Sequence, residues 1–162
     1  MNLLFLLHQT FCGAVAAAGF GMLFNIGMQQ LPWCAGTGAL ALAIRTYCTG
    51  LGWSLEGASF AAALAVGAAV QLLHWRMEIS PTAFDVVGCI PMVPGSFAAK
   101  AMLGLFAAAA KTGSGDTHLL IMALQYTLSV TFITGAIGTG LAIPTLLLRV
   151  RLPLPRGSRP EH

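Results

Sequence analysis

No stretch constrains this chain more than Phe84–Met102, FDVVGCIPMVPGSFAAKAM. Two prolines, Pro91 and Pro94, and a glycine, Gly95, interrupt an otherwise apolar run. Proline lacks a backbone donor, clashes with the preceding turn and pushes its predecessor toward extended backbone, so a continuous helix is not expected across 84–95. In a bilayer, broken backbone persists only where it is buried in protein or lines a cavity. The break is therefore a candidate place to bind a solute. Ser96 is expected to cap a new helix beginning near Phe97. Lys100 then lies in or just after its first turn, at the positive end of the helix dipole, where a cation is poorly placed unless an anion shares the site.

Composition says which solvent this chain meets. It is 57% hydrophobic and 8% charged, with mean hydropathy +0.81. Soluble domains carry about 25% charged residues. This is an integral membrane protein, and no polar stretch is long enough to form a soluble domain. The formal net charge of +3 comes from the tail, where Arg149, Arg151, Arg156 and Arg159 cluster. A basic tail beside a membrane span fixes topology rather than binding nucleic acid. The N-terminal MNLLFLLHQTF has no Lys or Arg before its apolar run, so it reads as a retained span rather than a signal peptide.

The expected architecture is all-α and polytopic, with five transmembrane helices and a Pro/Gly-broken segment before the fourth. The spans are placed at about 3–28, 33–49, 56–74, 96–110 and 118–148, with the broken segment at 84–95. Together they form one transmembrane domain over 1–148, and 149–162 is a basic cytoplasmic tail. Small residues recur every four positions at Gly13, Ala17 and Gly21, at Ala35, Ala39 and Ala43, and at Gly57, Ala61, Ala65 and Ala69, a spacing that lets helices approach closely. Asn25 continues the first of these faces and either bonds a neighbouring helix or touches substrate. Arg45 reads as a snorkelling residue, with a cavity role as the alternative. Ser129, Thr131, Thr134, Gly135, Gly138 and Gly140 are expected to form a small, polar interior face on the last span. Five spans place the termini on opposite sides, and the tail arginines put the C-terminus in the cytoplasm and the N-terminus outside.

Pro91, Pro94, Gly95, Ser96, Lys100, Asn25 and Asp85 form the candidate binding set. The functional reading is that the half-helix N-terminus and Lys100 take a carboxylate or other anion. The structural reading is that Lys100 pairs with Asp85 or Glu78 and holds the break together. Gly113-Ser114-Gly115-Asp116 matches the GxGD string of intramembrane aspartyl proteases, which need a second aspartate, and Asp85 is the available one. Helix capping by Asp116 or Thr117 explains that string more simply. The four cysteines and the histidines have no metal-ligand spacing, and no nucleotide-binding motif is present, so no cofactor is expected.

Gly19–Gly27 (GFGMLFNIG), Pro32–Trp33–Cys34, Ile90–Gly95 (IPMVPG) and Gly135–Pro144 (GAIGTGLAIP) carry a resemblance over nearly the whole chain. The sequence resembles the threonine/serine exporter (ThrE) family, and within it the small, YjjB-like subunit of the split exporters. The resemblance implies a bacterial inner-membrane transporter working with a larger, YjjP-like subunit. It implies threonine and serine as substrates of fused members and succinate for the split type, each bearing a carboxylate. A lysine at the position of Lys100 is a departure from the family pattern. A non-transporting assembly subunit is the reading from a different class.

Overall fold

In the computed structural model, which describes residues 3–77, 81–110 and 117–151, the chain folds as six α-helices. They are α1 (Leu3–Leu23), α2 (Leu31–Gly50), α3 (Leu55–Met77), α4 (Pro81–Cys89), α5 (Gly95–Ala110) and α6 (Thr117–Arg151). A 3-10 turn, Ile90–Met92, joins α4 to the break. No strand occurs among the described residues. The all-α expectation is met.

Helix ends follow local chemistry. Asn25 has φ 56°. The Asn25 amide donates to the Met22 carbonyl and the Ile26 amide to the Gly21 carbonyl, both at 3.0 Å. That pair of bonds around a left-handed residue is a Schellman motif, which asparagine tolerates better than most side chains. It stops α1 at Leu23, five residues before the expected limit. Gly52, with φ 88°, ends α2 the same way: its amide donates to Thr49 and that of Trp53 donates to Cys48. Pro32 sits in the first turn of α2, where its missing N–H is not needed.

α1 and α2 are antiparallel and touch through glycine. A Cβ at Gly13 would lie 2.6 Å from the Gly38 carbonyl oxygen, and one at Gly21 3.3 Å from the Cys34 sulfur. Gly13, Ala17 and Gly21 are indeed the buried face of α1. On α2 the buried residues are Cys34, Thr37, Gly38 and Ala41, so the Ala35–Ala39–Ala43 stripe is offset from the contact. On α3 they include Ala58, Ala62, Ala63, Val66 and Val70, again beside the alanine stripe read from sequence. Spacing identifies a stripe of small residues, but the neighbouring helices choose which stripe is covered. α4 runs parallel to α2, with Gly88 seated on Thr37 and Val66.

α3 and α6 are parallel. Gly140 meets Phe60 and Ala63, Gly67 meets Leu141 and Pro144, and Gln71 donates to Thr145. This register leaves the first half of α6 beyond the N-terminal end of α3. At 1.5 Å per residue, the overhang from residue 117 to 132 is about 24 Å. α5 turns away at the break and packs mainly on that overhang, through Gly104 on Ala123 and the Phe97 and Tyr126 rings 5.8 Å apart. The α5–α6 arm is apolar on its open faces: Leu103, Phe106, Leu124, Leu128 and Phe132 are all exposed.

α1, Leu55–His74 of α3 and Leu120–Leu147 of α6 are long and apolar enough to cross a membrane. Counting Phe84–Met92 with Gly95–Ala109 as one bent span gives a fourth. Length and hydropathy thus support three or four crossings where five are expected. α2 is long enough, but Pro32, Arg45 and its threonines and glycines dilute its hydropathy.

Candidate functional site

The break is narrower than the sequence implies. Helix α4 continues through Cys89, and Pro91 sits in the first turn of the 3-10 segment, where a missing donor is tolerated. Only Val93 and Pro94 are non-helical. Val93 is extended, with φ −61° and ψ 127°, as the residue before a proline must be. There the chain bends by 57°. Helix α5 starts at Gly95, not after Ser96. Pro94 supplies the capping carbonyl, accepting from the Phe97 and Ala98 amides, while the Gly95 amide donates to Val93 at 2.8 Å. The Ser96 side chain is exposed within the first turn and does not cap it. Most of the amides that a broken helix frees are thus already bonded.

The seven candidates divide into four places. Asp85 and Pro91 lie inside the bundle formed by α1–α4. Ser96 and Lys100 lie on the arm, with Pro94 and Gly95 as the joint between the two. Asn25 is exposed at the far end of α1, about 30 Å along the helix from Phe5, and its role is to end α1.

Lys100 is exposed, and its Nζ stands 5.6 Å from the centre of the Tyr126 ring. That is a cation–π contact. It borders a groove of about 460 Å³ lined in part by Phe97, Gln125, Tyr126 and Ser129. Asp85 is 7% exposed, and its Oδ1 is buried with no hydrogen-bond partner among the described residues. Lys100 and Asp85 therefore do not pair. Glu78, the other partner considered, lies outside the described residues, as does Asp116. An unpaired acceptor away from water is costly, so burial of the Asp85 Oδ1 carries an energetic penalty.

Sequence reasoning gave Arg45 too little weight. Its Nη1 donates to the Met92 carbonyl at 2.8 Å, across 47 residues of chain. That carbonyl belongs to the 3-10 turn just before the break, so Arg45 ties α2 to it. Arg45 also lines a pocket of about 300 Å³ at the end of the bundle, with Gln9, Thr46, Thr49 and Pro91 among its neighbours. An arginine in an apolar span with no acid near it in sequence was the signal available.

Residues 9–147 match the family model described as Threonine/Serine exporter, ThrE. The chain belongs to the threonine/serine exporter family. The resemblance carried by IPMVPG and the three other stretches is therefore borne out, consistent with the small-subunit class. No solved structure matches the chain. A threonine/serine exporter domain built on these apolar helices is a membrane transporter of that type. The Arg45 pocket lies beside the break and the Lys100 groove lies beyond it.

Proposed function

We propose that this chain is the membrane subunit of a secondary exporter of small carboxylate-bearing metabolites, either succinate or threonine and serine. It acts with a larger YjjP-like subunit in the bacterial inner membrane. The observation that carries this reading is the bent span, Phe84–Met92 and Gly95–Ala109 at 57°, in a chain of an exporter family. Discontinuous helices near bound solute are a recurring device of secondary transporters. Pro91, Pro94 and Gly95 form the hinge, and Lys100 and Ser96 present cationic and polar groups on its far side. Asp85 is the buried acid on its near side.

Support for the partner comes from the arm. α5 and the overhanging half of α6 leave large apolar side chains uncovered, and Gly135 and Gly138 face open space. The face expected to be interior to one chain is thus available to a second. Support for termini on opposite sides of the membrane comes from helix direction, and the tail arginines assign the cytoplasmic side to the C-terminus. α1 begins beside Leu55 and Pro91, while the later part of α6 lies along the later part of α3, so the helical ends point opposite ways.

A non-transporting assembly subunit is the second reading, favoured by the bonded amides at the start of α5. Efflux from proteoliposomes holding both subunits decides between them. With Pro94→Ala and Gly95→Ala together, the helix is mended while the complex stays assembled. Efflux is expected to fall at least tenfold. Wild-type efflux from that variant would leave the chain an assembly role only.

A further inference from the structure

The pocket at the end of the bundle holds more polar capacity than the fold uses. Arg45 is half-buried, and a guanidinium carries five N–H donors. Among the described residues it makes one hydrogen bond, to Met92, and no ion pair. The Gln9 amide group and the Thr46 hydroxyl line the same pocket and have no hydrogen-bond partner among the described residues. The Thr49 hydroxyl is turned back onto the Arg45 and Thr46 carbonyls at 3.0 Å. Phe5 and Pro91 supply apolar walls. A fixed cation with free donors, two unengaged polar groups and a volume of about 300 Å³ make a recess suited to a small anion.

We infer that this pocket is a carboxylate-binding site in which Arg45 holds the carboxylate and Gln9 and Thr46 hold the ligand's other polar end. The inference rests on the exporter reading for its biological use but not for its chemistry. A planar guanidinium pairs with a carboxylate through two parallel hydrogen bonds, which a lysine ammonium does not reproduce. The lining contains no acid to balance an ammonium group. Solutes of net negative charge, such as hydroxy- and dicarboxylates, are therefore preferred over zwitterions of the same size. Because Arg45 also holds the Met92 carbonyl, a carboxylate on its remaining donors is read directly at the bent span.

The test uses the full chain in lipid nanodiscs and the rise in thermal stability caused by succinate, its dimethyl ester or threonine. Succinate is expected to stabilise the wild type, threonine at least tenfold less tightly, and the uncharged ester not at all. Arg45→Gln keeps a donor for Met92 and is expected to weaken succinate binding at least tenfold. Arg45→Lys should recover part of it, and Gln9→Leu or Thr46→Val should each lose several-fold. Folding of each variant is checked by circular dichroism and gel filtration.

Three results would overturn the inference. One is the absence of any succinate effect on the wild type. Another is succinate binding that survives Arg45→Gln but is lost in Lys100→Met, which places the carboxylate on the arm. The last is an Arg45-dependent stabilisation by phosphatidylglycerol nanodiscs over phosphatidylcholine ones, with none by succinate, which makes Arg45 a lipid-phosphate ligand. Arg45-dependent binding without efflux from two-subunit proteoliposomes would retain this site and remove the exporter reading. Efflux from those proteoliposomes without any Arg45-dependent succinate binding would do the reverse.

Discussion

At the scale of single residues, position within the fold decides what the polar side chains mean. Asn25, Asp85 and Arg45 are each unusual in an apolar chain, and each has a different explanation. Asn25 adopts a left-handed backbone and closes α1. Arg45 crosses to the Met92 carbonyl. Asp85 has a buried oxygen with no donor to accept from among the described residues. An unsatisfied buried acceptor costs about 1–3 kcal/mol, and an apolar group of similar shape removes that penalty. Asp85→Leu is therefore expected to raise the unfolding free energy of the chain in detergent by about 1–3 kcal/mol. Denaturant unfolding followed by circular dichroism measures it, and a loss of stability would mean that the carboxylate is paired in the folded protein.

At the scale of helices, close approach is set by a few glycines rather than by hydropathy. Gly13 and Gly38 bring α1 and α2 together, and Gly140 does the same for α3 and α6. A methyl at Gly13 would sit 2.6 Å from a backbone oxygen, which cannot swing aside as a side chain does. Overpacking of this kind costs about 1–3 kcal/mol. Gly13→Ala should lower stability by that amount. Gly19 on the same helix has nothing within 4 Å of such a methyl, so Gly19→Ala should change stability by at most about 1 kcal/mol, with helix propensity in its favour. Parallel melting curves of the two variants compare them. Equal effects would show that the α1–α2 contact is not close in the membrane.

At the scale of the molecule, the arm and the directions of the helices define what the chain needs from its surroundings. Leu120–Leu147 is 28 residues long, about 42 Å of helix against a hydrocarbon layer of about 30 Å. α6 must either tilt strongly or place part of its length against a partner. The proposed orientation is checked at the tail. A cysteine introduced as Ser158→Cys should react with a membrane-impermeant thiol reagent only from the cytoplasmic face. Reaction from outside would invert the arrangement and move the Arg45 end of the bundle to the cytoplasm.

Sequence alone determined the all-α class, the membrane as solvent, the family and the existence of a break within 84–95. These properties are local: hydropathy sums along the chain, and proline limits the backbone of itself and its predecessor wherever it stands. Helix ends were legible to within a few residues, except at α1, where a left-handed asparagine counts for more than the apolar run around it, and at α4, whose residues 84–89 were expected to be broken and are helical. Tertiary structure alone decided which small-residue stripes are covered, that Asp85 and Lys100 lie apart, and that Arg45 reaches the turn beside the break. Those outcomes depend on the register between helices far apart in sequence. That register follows from a handful of glycine contacts, whose partners are not encoded in the spacing of either helix on its own.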